Sequence, residues 1–185
     1  MRFDFAALIV MTVGCWFGAY HADAADQPRR YGLGRAPTAA EIAAWDIDIR
    51  ADGKGLPPGK GSVDEGAAIF GRSCVGCHGE GGQGGPMDRL VGGAGSLATA
   101  HPIRTVGSYW PYATTLYDYI RRAMPYDAPQ SLSPNEVYAV VAYLLHLNGI
   151  VPAHAVLDAK ALPQIVMPNR NGFITRDPRP DVTEK

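Results

Sequence analysis

Cys74, Cys77 and His78 stand in the run Cys74-Val75-Gly76-Cys77-His78, the C-x-x-C-H pattern of covalent haem attachment. The spacing has a chemical reason. Two thiols separated by two residues reach both vinyl groups on one porphyrin edge, and an imidazole directly after the second thiol is carried over the ring to ligate iron. Other uses of the pair fit less well. A thioredoxin-like redox pair calls for a βαβ setting, whereas the flanks here read as a helix and then a glycine-rich loop. A structural zinc needs a second ligand pair, and the remaining cysteine, Cys15, lies in the N-terminal apolar run. A plain disulfide leaves His78 without a role. The motif predicts one covalent haem c with His78 as an axial ligand.

The ligand on the other face of the iron decides between electron transfer and chemistry at an open metal, because a Met/His pair raises the potential and closes the iron. Three methionines follow the motif. Met87 sits nine residues past His78, inside the glycine-rich loop, and Met167 lies in the tail. Met124, in Ala123-Met124-Pro125, comes just after a predicted helix end, and Pro125 restricts the backbone beside it. Met124 is the expected ligand, with Met87 and Met167 read as core filler. His101 and His146 are the alternatives. A ligating histidine usually donates its other ring N–H to a carbonyl, expected here from Gly85-Pro86. Arg104, Tyr109, Trp110 and Tyr112 form an aromatic-basic group that either meets the haem propionates or packs the haem edge. Neither use is favoured.

These residues need elements to position them. Thr38-Ala-Ala-Glu41 and Ser62-Val-Asp-Glu65 are capping boxes, the second opening a helix with Ala68, Ile69 and Phe70 into Cys74. The alternation Asp46-Ile47-Asp48-Ile49 reads as a short extended segment, and 51–61 as a loop. Glycines crowd 79–95. No strand precedes them and no Lys-Ser/Thr follows, so a phosphate cradle is a poor reading; close backbone approach to something bulky is the better one. Residues 114–123 have helical spacing, and Arg121-Arg122 at their end suit the helix dipole. Ser133-Pro134-Asn135-Glu136 starts a helix running to Leu147, with Val137, Val140, Val141, Leu144 and Leu145 as its apolar stripe, and Asn148-Gly149 stops it. Phe70 and Tyr143 are expected to meet where their helices cross. The proline-rich tail from Pro152 reads as irregular surface wrapping.

The chain has 185 residues, with 17 Lys+Arg against 18 Asp+Glu. That balance excludes a strongly basic nucleic-acid binder and an acidic tail protein. The N-terminus reads as an address: a basic start, about 15 apolar residues where a membrane span needs roughly 20, then Ala22-Asp23-Ala24 as a cleavage site. A cleaved signal peptide at 1–24 is expected, with an uncleaved anchor or a lipid-modified Cys15 as alternatives. Cleavage removes Arg2, Asp4, Asp23 and Cys15, leaving 16 basic and 16 acidic residues and two cysteines. Glycine and proline, 22 and 15 residues, make up about a fifth of the chain, so a loop-rich fold is expected, with haem supplementing a modest core.

The cysteine-bearing helix, the Met-Pro loop and the capped last helix resemble a class I cytochrome c, which implies an all-α fold of short helices around one haem. Further segments are similar to the SoxD-type cytochromes: Tyr31-Gly-Leu-Gly-Arg35, Glu41-Ile-Ala-Ala-Trp45-Asp-Ile-Asp, Gly55-Leu-Pro-Pro-Gly59, Gly61-Ser-Val63, Gly107-Ser-Tyr-Trp-Pro-Tyr112, Asp118-Tyr-Ile-Arg-Arg-Ala-Met-Pro125 and Met167-Pro-Asn-Arg-Asn-Gly-Phe173. The SoxD-type protein is the cytochrome subunit of sulfane dehydrogenase, paired with a molybdenum-cofactor subunit, SoxC, in bacterial sulfur oxidation. The resemblance implies that Cys74 and Cys77 attach haem, that His78 and Met124 are axial, and that electrons from a carrier-bound sulfane sulfur pass through this haem. Some SoxD proteins carry a second cytochrome domain; with one C-x-x-C-H this chain looks like a one-haem form.

The expected organisation is a signal peptide at 1–24, an N-terminal arm with a short helix at 25–61, a cytochrome c domain at 62–150 and an extended tail at 151–185. The expected function is electron transfer in the periplasm, with no catalytic residue on this chain and no membrane span once the signal is removed. A SoxC-like molybdenum subunit would deliver the electrons and a periplasmic acceptor would take them, with arm and tail as docking surface. The alternatives are the cytochrome subunit of a sulfite dehydrogenase or other molybdoenzyme, a free electron shuttle, and a haem peroxidase or sensor.

Overall fold

The computed structural model describes residues 31–174; the expected signal peptide and its cleavage site lie outside them. The chain forms two compact units, one up to Thr38 and one from Ala39 onward. The described part of the first, 31–38, is exposed and non-helical, with Gly32 and Gly34 both at φ 71°. Everything that follows concerns the second unit.

Its elements are short. Helix α1 (Ala39–Trp45) buries none of its residues and leaves Ile42 and Trp45 exposed. In 46–49 the expected alternation holds: Ile47 is half-buried and Ile49 buried, with Asp46 and Asp48 outside. Strand β1 (Lys60–Ser62) leads straight into α2 (Val63–Ser73), where the capping box forms. Ser62 Oγ accepts from the Glu65 N–H at 3.3 Å while Glu65 Oε2 accepts from the Ser62 N–H at 2.8 Å. The one-turn α3 (Val75–His78) follows, and after a long irregular stretch α4 (Ala113–Ala123) and α5 (Pro134–Leu147). The box at the start of α5 forms between Ser133 and Glu136 as the sequence predicts, with Pro134 in the first turn. Its end falls at Asn148, with Gly149 at φ 70°.

The core is built on α5. The expected stripe is buried, and so are Tyr138, Ala139 and Ala142, so the helix is covered well beyond one face. Helices α2 and α4 and both strands pack on it. Two glycines make the closest crossing possible: a Cβ at Gly66 would lie 2.0 Å from the Ala139 carbonyl oxygen, and one at Gly61 2.2 Å from the Ala139 nitrogen. Phe70 and Tyr143 meet at that crossing, ring centroids 5.4 Å apart. Tyr117 and Tyr138 meet with tilted rings, centroids 4.4 Å apart, where α4 meets α5. Burial pushes the Tyr138 phenol up to about 12.

The tail corrects the expectation of irregular wrapping. Residues Val156–Asp158 form β2, antiparallel to β1 with Gly61 opposite Leu157, and a 3₁₀ turn follows at Leu162–Gln164. Leu157, Leu162 and Met167 are buried in the core. A three-residue strand carries too little alternation to stand out in a proline-rich segment. Met167 is thus core filler as expected, but Met87 is not: it is 58% exposed. Among the described residues no helix is long and apolar enough to cross a membrane.

Candidate haem site

Helix α2 delivers the motif. The Cys74 N–H closes the last turn on the Phe70 carbonyl at 2.9 Å, and the chain then rewinds into α3, where the His78 N–H reaches the Cys74 carbonyl at 3.0 Å. Gly79 ends this turn at φ 77°, ψ 167°, a conformation open essentially to glycine alone. A Cβ there would meet the Gln83 carbonyl oxygen at 2.0 Å, and one at Gly85 the Cys77 carbonyl oxygen at 2.2 Å. The glycine-rich segment therefore folds tightly back on the motif: at Gly79 and Gly85 the close approach is to backbone, and at Gly82 and Gly93 to the side chains of Val91 and Ile103. The Met87 N–H donates to the Cys77 carbonyl at 2.9 Å and the Leu90 N–H to the Gly82 carbonyl at 2.8 Å.

This fold-back selects the partner of His78. Its Nδ1 lies 2.8 Å from the Asp88 carbonyl oxygen, not the Gly85-Pro86 region expected from sequence, because the loop reverses at Gly85 and brings Asp88 back alongside the ring. A carbonyl oxygen only accepts, so Nδ1 is the donor in this contact, which leaves Nε2 as the ring nitrogen for a metal.

The two thiols are unpaired. Burial, and to a lesser degree the neighbouring Cys77, push the Cys74 thiol up to about 11 against the opposing charge of Arg72. A redox-active pair needs the opposite shift. Among the described residues no group of three or more His, Cys, Asp or Glu side chains is placed to hold a metal ion.

Met124 follows α4. Its N–H closes the final turn on the Ile120 carbonyl at 3.0 Å, and its own φ of −124° and ψ of 144° take the chain out of the helix. Its side chain is partly buried against the core that Cys74 also packs on. Of the alternatives, His101 is exposed and His146 lies at the end of α5 with Nδ1 3.2 Å from the Val151 carbonyl. The donor set fits a haem: two free thiols, an imidazole with Nε2 available, a thioether, and apolar side chains such as Val75, Leu90, Trp110 and Leu132 left partly uncovered on the core.

The aromatic-basic group is tied to the tail. The Arg104 guanidinium lies 5.6 Å from the Tyr109 ring centre and Arg170 4.3 Å from that of Tyr112. Phe173 meets Tyr109 edge-on at 5.1 Å, and Asn169 Nδ2 donates to the Tyr109 carbonyl at 2.7 Å. Trp110 packs edge-on against Tyr119 at 5.5 Å. Asn148 does more than stop α5: its Oδ1 accepts from the Gly92 N–H at 3.2 Å and its Nδ2 donates to the Leu90 carbonyl at 3.2 Å, pinning the loop beyond Asp88. The Asn-Gly stop was visible in the sequence, but this second use was not. Arg121 and Arg122 lie in the last turn of α4, as the dipole reading expects, and also bind the 46–49 segment. Arg122 pairs with Asp48 and Asp118, and Arg121 reaches the Ile47 carbonyl at 3.4 Å.

Short helices around a central α5, with a C-x-x-C-H turn leaving α2, define a cytochrome c domain of the all-α class. The chain belongs to the cytochrome c family. Residues 61–144 match the family model described as cytochrome C oxidase, cbb3-type, subunit III. A chain of the crystal structure of the sulfane dehydrogenase SoxCD from Paracoccus pantotrophus is similar: 44% identical, with 80% of this chain and 73% of that chain covered and a TM-score of 0.75. No curated protein sequence matches.

Proposed function

We propose that this protein is a periplasmic one-haem cytochrome c, the SoxD-type electron-transfer subunit of a SoxCD-like sulfane dehydrogenase. Cys74 and Cys77 would hold the haem by two thioether bonds, and His78 and Met124 would ligate its iron. A haem held in this way supplies a one-electron redox centre. The protein's own part is to hold it: the Asp88 carbonyl orients the His78 ring, Gly79 and Gly85 let the loop close against α3, and a Met124 ligand would close the iron to an oxidant or substrate. The molybdenum site belongs to the partner, and no residue of this chain is catalytic. The signal peptide at 1–24 takes the protein to the periplasm.

The observation that carries this reading is the extent of the similarity to the SoxCD chain. It covers 80% of this chain, well beyond the family-matched 61–144, so segments outside the common haem domain share it as well. A free shuttle needs the haem domain alone.

Two experiments test the reading. The holoprotein, co-purified with a molybdenum subunit, is expected to be reduced by a carrier protein loaded with sulfane sulfur and not by sulfite. Reduction by sulfite alone identifies a sulfite dehydrogenase subunit, and absence of a stable complex identifies a shuttle. Met124→Ala is expected to abolish the far-red methionine-to-iron absorption band and lower the potential; an unaltered band rejects Met124 as the ligand.

A further inference from the structure

Residues 47–51 lie outside the family-matched span and run along one side of α4 in the opposite direction to the helix. Thr114 Oγ1 donates to the Ala51 carbonyl at 3.2 Å, Asp118 Oδ1 accepts from the Ile49 N–H at 3.1 Å, and Arg121 Nη1 donates to the Ile47 carbonyl at 3.4 Å. Arg122 closes the set: its Nε donates to both carboxylate oxygens of Asp118 at 3.0 Å, and its Nη2 bonds Asp48. The two carboxylates raise the Arg122 guanidinium further above its ordinary value. The contacts run in order, 114, 118 and 121–122 on the helix meeting 51, 49 and 47–48 on the strip. The opposite side of α4, with Leu116, Tyr117 and Ile120, is buried. The helix is clamped between the core and this strip.

We propose that the 47–51 strip is a splint that sets the position of Met124, with Asp48, Asp118 and Arg122 as positioning residues. The proposal rests on the reading of Met124 as an axial ligand. Arg122 is on the last turn of α4, and Met124 hangs from that turn through its bond to Ile120. Beyond it the chain offers little hold: 126–131 are exposed, and their turns bond locally, the Ala128 N–H to Pro125 and the Ser131 N–H to Ala128. Apart from its packing on the core, the restraint on Met124 therefore comes from upstream. Partly exposed ion pairs add little to global stability, so their effect belongs to the last turn of α4, which opens as a local unit when they are removed.

The test uses four holoprotein variants: Arg122→Ala, Arg122→Lys, Asp48→Asn and, as a control, Arg50→Ala, whose ion pair with Asp52 does not touch α4. The readouts are the reduction potential and the denaturant midpoints of the far-red band and of the helical signal. Arg122→Ala is expected to lower the potential and to lose the band well before the helices unfold. Asp48→Asn should do the same to a smaller extent, Arg122→Lys should recover part of the difference, and Arg50→Ala should match the parent. If Arg122→Ala does not fold, Asp48→Asn decides, because it leaves the Arg122–Asp118 pair intact. Parental potential and coincident midpoints in the folded variants overturn the splint. A band that survives Met124→Ala fails the ligand reading itself, whereas a band lost in Met124→Ala but parental in the splint variants fails the splint alone.

Discussion

On the His78 side most restraints come from within 70–92, with Asn148, Thr105 and Val106 closing on the loop: the rewound turn at Cys74, the Gly79 reversal, the Met87 and Leu90 backbone bonds, and the Asp88 carbonyl on the ring. On the Met124 side the restraints come from far along the chain. Asp48 and Ile49 meet Arg122 and Asp118 across some seventy residues, and the tail residues Asn169 and Phe173 hold Tyr109 ahead of α4. One side is thus a local backbone structure that forms once a few glycines adopt unusual angles. The other exists only after distant segments have come together. The local side should be sensitive to backbone shape, and the distant side to side chains that no motif contains.

The largest expected break is on the local side. Gly79→Ala adds a strained backbone to a direct clash with the Gln83 carbonyl and should lower stability by about 4 kcal/mol, with loss of haem incorporation; chemical unfolding and the haem-to-protein ratio of the purified variant check it. On the distant side, Ile49→Ala removes a buried side chain from the strip along α4. It should cost about 2 kcal/mol in the same unfolding measurement while leaving haem incorporation unchanged, because nothing in 74–92 is disturbed. Equal loss of haem in both variants would erase the distinction between the two sides. A change on the shared platform should affect both alike: Ser133→Ala, which removes the α5 cap, should cost about 1 kcal/mol with no preference for either ligand.

The smallest effect concerns acid. Bonds from Ser62 hold the Glu65 carboxyl below its ordinary value of 4.5, and bonds from Ser133, aided by Arg72, do the same for Glu136. A lowered folded-state value means that the unfolded chain binds the proton first. The caps therefore contribute fully above pH 4.5 and fade as the pH falls through the lowered values. Glu136→Gln should flatten the decline of thermal midpoint between pH 5 and pH 3, and Glu65→Gln should flatten it at the α2 end. An unchanged acid limb in both variants would show that the boxes do not govern it.

Much of this was legible before any coordinates. The starts of α2 and α5 follow from their capping boxes, since such a box satisfies backbone donors within four residues and leaves its mark in four letters, and α1 begins where its own signal places it. The motif at 74–78 and the Phe70–Tyr143 contact were readable for the same reason, each lying on a helix whose phase was clear. Three features were hidden. Gly61 and Gly66 read as ordinary glycines until Ala139 is found against them. Asp88 reads as a loop residue until the chain reverses at Gly85, and Arg121-Arg122 read as helix-end charges until Asp48 arrives.

The C-x-x-C-H motif, the helical class and the case for proposing Met124 over its rivals come from the sequence by itself, because thiol spacing, capping and helix ends are short-range properties written in adjacent residues. Which carbonyl orients His78, which glycines let α2 settle on α5, that the tail adds a strand, and what steadies the last turn of α4 were decided only in the tertiary structure. Those are contacts between segments tens of residues apart, and their partners are selected by close packing and register, which no local pattern records.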